Sequence, residues 1–371
     1  VSARATSPFV RVVVALASAC ALLELAARGV ARSTQIDERP VDIQSRDALR
    51  AVAARLGRGG ESAGFVGSSL VFGRHLEAIH GARWPQYTLS SRYASLARQS
   101  DHPVHAVNLG VEGVLFDELD CIAAEALAQR PAQLFVQVSP RPFATDFADG
   151  DADGETHLER GLCANRARLL DRLTGPLRDA AFDHLAILHH RDVAQFAWLS
   201  APPRLALVSA LRARLGLATP GAQPTATVES EDDWDAPASE EEAAVLREMA
   251  WRIRAARRYD SIEVRASHPQ AASLRALIRT LAGAGSTRVV LFYLEEDMSS
   301  LAEQADLSHF ARQRAAFVAM IERLARPARI PFIVVRTSEI GPHYVDHVHV
   351  DAEGYRRLAE RLAAGAREGT P

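Results

Sequence analysis

The run Leu134-Phe135-Val136-Gln137-Val138 shows no regular alternation of apolar and polar residues. A strand with one wet face alternates. A nearly unbroken apolar run therefore predicts a strand covered on both faces, as in a parallel sheet. Four more segments join it: Phe65–Leu70 (a strand ending in a turn), Val104–Asn108, Arg288–Tyr293 and Pro331–Val335. Helical spacing fills the gaps. Residues 45–60 suit a polar leading helix, and another begins in 70–80. Phe116–Arg130 repeats apolar residues at Leu119, Ile122, Ala126 and Leu127, then stops before Pro131. Pro269–Ala284 puts Leu274, Leu277, Ile278 and Leu281 on one face, and Phe310–Leu324 and Gly354–Ala364 follow. Strands alternating with helices make a doubly wound α/β sheet. Ligands of such sheets bind at the C-terminal ends of the strands.

The pattern is interrupted. Residues 145–245 show no clear strand alternation, and 145–268 is expected to be a mainly helical insertion. Its stretch Glu229–Glu242 carries eight carboxylates and no basic residue, which reads as a solvated loop. The pair His189-His190, with Asp192, lies in this insertion and reads as structural. The expected organisation is therefore 1–35, a leader; 45–144, the first part of the α/β domain; 145–268, the insertion; and 269–365, the second part. A chain of 371 residues, 48% hydrophobic and 24% charged, has room for this. Its net charge of −3 gives no nucleic-acid signal. All 43 basic residues are arginine, so a Schiff-base lysine and a phosphate-binding P-loop are both excluded.

Arg4 and Arg11 precede the apolar run Val12–Leu23, and Arg28 and Arg32 follow it. Counted to Ala27, the run is roughly 15 to 20 residues, against about 20 for a bilayer span. Ala17-Ser18-Ala19 offers a cleavage pattern, but the apolar run continues through Leu25, which fits an uncleaved anchor better. The expectation is a membrane-anchored protein with its main domain extracytoplasmic (periplasmic). Cys121 and Cys163 either pair in such an oxidising compartment or remain two buried thiols.

Chemistry concentrates at three strand ends. Gly67-Ser68-Ser69-Leu70 closes the first strand, and Asn108-Leu109-Gly110-Val111-Glu112-Gly113 closes the second. Asp346-His347-Val348-His349 precedes the last helix. A serine hydroxyl is a weak nucleophile until a base takes its proton, and a carboxylate fixes the tautomer of that base. Asp346 and His349, separated by two residues in a turn, can meet within one loop. Ser69, between strand and helix, can offer its own N–H to an oxyanion, and Gly110 lets a second backbone N–H approach.

These blocks resemble those of the SGNH (GDSL-type) hydrolase superfamily, over about 64–143 and 269–365. Gly67-Ser68-Ser69-Leu70 stands where that family has G-D-S-L. Asn108–Gly113 is similar to its N-x-G-x-x-G block, and Asp346–His349 to its D-x-x-H block. The resemblance implies a flavodoxin-like three-layer α/β/α sandwich with a mostly parallel five-stranded sheet. It also implies Ser69 as nucleophile, Asp346 and His349 as its partners, and Ser69 and Gly110 as oxyanion donors, with no cofactor and no metal. Two departures stand out. Ser68 replaces the usual aspartate, and the family's G-x-N-D block is absent. The third strand runs instead into Gln137-Val138-Ser139-Pro140-Arg141-Pro142-Phe143, where Gln137 or Arg141 is the substitute donor. Such an ending, with Gly-Ser-Ser and an anchor, is similar to membrane-anchored SGNH-like proteins of cell-envelope acylation, those of teichoic-acid D-alanylation and alginate O-acetylation. The implied activity is O-acyltransferase or acylesterase action on envelope polysaccharide or a small ester, with an integral-membrane acyl donor as possible partner.

Each residue also has a plainer reading. Ser is a favoured N-cap, Gly110 can serve a turn, Asp346 can cap a turn, His349 can be a satisfied loop histidine, and Arg141 can be a surface ion-pair residue. Two other functions compete. One is a metallohydrolase using His343, His347 and His349 with Asp346 and Asp351. The other is a non-catalytic envelope binding or assembly protein that keeps only the fold.

Overall fold

A computed structural model of the chain describes residues 40–144 and 253–368, apart from 41, 42, 44, 45, 58, 59, 101 and 254, with residues 14, 15, 18 and 22 before them. Most of the expected anchor and most of the 145–268 insertion lie outside the described residues, with Cys163, His189, His190, Asp192 and the acidic stretch. No helix among the described residues is long and apolar enough to cross a membrane. The elements below belong to one of two compact units, Glu38–Ala167 with Arg247–Pro371.

Five strands, β1 (Ser62–Gly67), β2 (His105–Gly110), β3 (Gln133–Gln137), β4 (Arg288–Leu294) and β5 (Phe332–Val335), form one sheet in the order β2-β1-β3-β4-β5. Every pairing is parallel. Parallel neighbours need crossovers, and helices supply them. In chain order these are α1 (Arg46–Ala53), α2 (Ser69–Phe72), α3 (Leu76–His80), α4 (Leu89–Gln99), α5 (Phe116–Ala128), α6 (Pro269–Ala282), α7 (Leu307–Ala325), α8 (Thr337–Ile340) and α9 (Ala352–Glu368).

The apolar runs explain the layers. Alternate strand residues Phe65, Phe135, Val290, Phe292, Ile333 and Val335 share a buried cluster with Leu89 and Tyr93 of α4 and with Tyr355, Leu358 and Leu362 of α9. Phe65 stacks on Phe135 at 4.9 Å between ring centroids, with Tyr93 edge-on to both. The intervening residues Leu134, Val136 and Leu291 are buried as well, and α5 and α6 pack together outside that cluster through residues such as Ile122, Leu274 and Leu277. A sheet buried on both faces is the three-layer α/β/α arrangement.

The strands fall within a residue or three of their expected places. The helix expected to begin in 70–80 is instead two short ones. Gly73, at φ 76°, adopts the left-handed conformation that ends α2. The described end of the insertion joins the α/β unit. Tyr259 and Ile262 are fully buried, and Ile262 bridges Ala144 in antiparallel fashion.

Candidate active site

β1 brings the chain to the sheet's C-terminal edge at Gly67, where a Cβ would lie 2.4 Å from a Val71 methyl and 2.6 Å from Gln137 Oε1. Only glycine lets the turn into α2 pass so close. Ser68 is the N-cap of α2, yet its hydroxyl makes no cap hydrogen bond. Both its N–H and its Oγ donate to Gln137 Oε1, each at 2.9 Å. Ser69 is the first helical residue, so its hydroxyl is not a cap either.

That hydroxyl meets His349. Ser69 Oγ lies 2.9 Å from His349 Nε2, and His349 Nδ1 lies 2.7 Å from Asp346 Oδ2. An ionised carboxylate only accepts, so Nδ1 carries the ring proton and Nε2 is left as acceptor for the serine O–H. Asp346 is itself fixed. Its Oδ1 accepts from the Val348 and His349 amides at 2.8 and 2.7 Å. Burial pushes this carboxyl up. Hydrogen bonds from the His349 ring and the two amides outweigh that and hold it well below the usual carboxylate range. The expected triad residues therefore form one continuous hydrogen-bonded chain, spanning 280 residues between Ser69 and His349.

The oxyanion expectations divide. Gly110 pairs with Gly67 in the sheet register, at the right edge. Its N–H, however, donates to Asn108 Oδ1 at 2.9 Å. Asn108 Nδ2 donates to the Val71 carbonyl at 2.7 Å and to the Phe72 carbonyl at 3.3 Å. The Asn108–Gly110 block thus ties down the end of α2, and the expectation that the Gly110 N–H faces substrate is corrected. Gly110 is required for another reason, because a Cβ there would lie 2.2 Å from Phe72 N. Gln137 is nine-tenths buried beside the Gly67–Ser69 turn. Since Ser68 N–H can only donate, the atom it meets must be the amide oxygen, which makes Nε2 the donor end of the Gln137 amide. Arg141 opens the short turn Arg141–Phe143, and its charge acts on Tyr259, Glu296 and His347.

The histidines of the last loop diverge. His343 Nδ1 meets Asp351 Oδ2 at 3.1 Å, and His347 is buried edge-on against Tyr259. Asp351 also caps α9, accepting from the Glu353 and Gly354 amides. The metal-cluster expectation is therefore not met, since no group of three such ligands converges among the described residues. Extended alternation would have put His347 and His349 on one side, but the Asp346 turn replaces the extended backbone.

Sequence reasoning missed two neighbours. His75 lies against the His349 ring, 4.4 Å between centroids. Tyr355, fully buried in α9, donates its hydroxyl to the Leu70 carbonyl. No local pattern marks either one. Cys121, on α5, is disulfide-bonded.

No protein-family model and no curated protein matches the chain. The solved structure of LAE5, an alpha/beta hydrolase enzyme from the metagenome of Lake Arreo, Spain, is similar at 11% identity and a TM-score of 0.35, over 84% of this chain and 98% of that one.

Proposed function

We propose that this protein is a serine acyl-transfer enzyme of SGNH type, working through an acyl-Ser69 intermediate. The observation that carries the reading is the hydrogen-bonded chain Ser69–His349–Asp346. In the reaction the Ser69 oxygen attacks an ester carbonyl while His349 Nε2 takes the hydroxyl proton. Asp346 holds the ring and offsets its charge. The tetrahedral oxyanion is stabilised by the Ser69 N–H and the Gln137 side-chain amide. His349 then returns the proton to the leaving alcohol. Water or a sugar hydroxyl, deprotonated by His349, attacks the acyl-serine and releases the acid or the new ester.

The finer reading is an envelope O-acyltransferase or acylesterase, tethered by the apolar run Val12–Ala27 with the α/β unit outside the cytoplasm. The bonded Cys121 supports an oxidising compartment. Tethering raises the effective concentration near membrane-bound donors and acceptors, which a diffusible-ester hydrolase has no need of.

The test uses the full chain, a serine-directed phosphonate and an acetyl ester. Ser69 should be labelled, and acetyl ester turnover should be slow. Adding an acceptor oligosaccharide should divert acetyl groups to its hydroxyls. Absence of labelling at Ser69 sinks the serine mechanism. Rapid hydrolysis with no product shift leaves a plain esterase.

A further inference from the structure

We propose that His75 is a positioning residue for the serine centre, bracketing the His349 ring so that it faces Ser69. The inference rests on the reading of Ser69, His349 and Asp346 as reacting and supporting groups. Their two hydrogen bonds lie at opposite ends of the His349 ring. Such bonds fix where the ring nitrogens sit, but leave the ring free to rock about the line joining them. Something must press on its face.

His75 does so. The two ring centroids are 4.4 Å apart and the planes are tilted by 36°. His75 Nε2 lies 3.0 Å from the Val350 carbonyl, the residue next to His349. A carbonyl only accepts, so Nε2 carries the proton and Nδ1 is bare. That Nδ1 is buried and has no partner among the described residues. Phenylalanine would cover the same face without an unpaired nitrogen, so the Val350 bond is what histidine adds. The fold supplies the geometry: the left-handed turn at Gly73 ends α2 and sends the chain back, six residues past Ser69, against the loop that carries His349. One short segment therefore holds both the nucleophile and the bracket for its base.

The bracket is neutral. The titratable groups facing His75 are His349 and Asp346 from the last loop and Tyr355 from α9, whose ring is 5.8 Å away. Arg74 and Glu77, its neighbours in the chain, are half exposed and pair with each other. Burial, then the positive form of His349, lowers His75 to about 4, so it brings no second cation beside the base at neutral pH.

The experiment follows labelling of Ser69 by a fluorophosphonate in the full chain, for the parent and three variants. His75→Ala removes ring and donor, His75→Phe keeps the ring, and His75→Asn keeps a donor. Misplacing a reacting group by about 1 Å can cost 10²-fold. The maximal labelling rate should therefore fall about 10- to 100-fold in His75→Ala, with the half-saturating reagent concentration within about twofold. His75→Phe and His75→Asn should each restore part of the rate. Labelling of His75→Ala at the parent rate overturns the proposal, as does a change in half-saturation alone, which would make His75 a contact for the reagent. Should the alanine variant fail to fold, the two conservative variants decide. Parent-like rates in both, or loss in both together with a lost thermal transition, overturn the proposal. A parent that does not label at Ser69 brings down the serine reading and this inference together, whereas a labelling parent with indifferent variants removes only His75.

Discussion

The Tyr355 hydroxyl donates to the Leu70 carbonyl, joining α9 to the residue that follows Ser69. Both groups are buried, and the two residues stand 285 positions apart. Replacing Tyr355 by Phe leaves that carbonyl without its partner, a loss of about 1–3 kcal/mol. Urea titration of Tyr355→Phe should show it as a lower midpoint with an unchanged slope, and Ser69 labelling should slow. A midpoint equal to the parent's would mean that water satisfies Leu70 instead.

Ser69, His349 and Asp346 should behave as one unit. Ser69→Ala and His349→Ala should each abolish nearly all ester turnover, and the double variant should be little worse than either, because groups that act together are not additive. Ser68→Ala should cost far less, since Ser68 only braces the turn through Gln137. Steady-state ester kinetics decide this. Near-parent turnover by Ser69→Ala would move the nucleophile elsewhere.

Gly110→Ala should be costly although the residue touches no reacting group. The added methyl would lie 2.2 Å from Phe72 N and 2.7 Å from Phe72 Cα, both backbone atoms that cannot swing aside. Overpacking of this kind costs about 1–3 kcal/mol. It must also shift α2, so labelling of Ser69 should fall along with stability. A variant with the parent's thermal transition and labelling rate would show that α2 has slack.

Stability should respond to pH through buried groups behind the site. Burial pushes Glu296 up to about 7, although the Tyr293 hydroxyl donates to it. The unfolded carboxyl ionises near 4.5, so this group's contribution is complete below that value and is lost as pH rises through 7. Glu296→Gln should therefore be more stable than the parent at pH 8, by roughly 1–3 kcal/mol, and the gap should close near pH 4.5. His75 and His347 act in the opposite sense. Burial lowers both to about 4 from 6.5, so stability is lost as pH falls through that interval. Denaturant melts of the parent and Glu296→Gln across pH 4–8 test both signs.

The sheet was legible because its strands are buried on both faces and read as apolar runs, Leu134–Val138 above all. α4 was not. Its eleven residues hold three serines and two arginines, and only Leu89, Ser90 and Tyr93 are buried, so its amphipathic signal is faint. The serine chain was legible because Asp346 and His349 share one turn and Ser69 follows the end of an apolar strand. Asn108–Gly110 was legible as a block and misread in its role, because spacing cannot tell whether an amide faces a substrate or the neighbouring side chain. His75 and Tyr355 act across long sequence separations and had no local signature. The histidines of the last loop looked like ligands in sequence because alternation assumes an extended chain, which the Asp346 turn interrupts.

The separation of 280 residues between Ser69 and His349 bears on how the protein is made. A ribosome delivers β1 and Ser69 long before the loop that carries His349. On the proposed reading, Ser69 is an ordinary alcohol through most of synthesis. Ser69 gains its hydrogen-bond partner only once the last loop is in place beside it. On the proposed reading, completion of the fold is also the step that arms the serine.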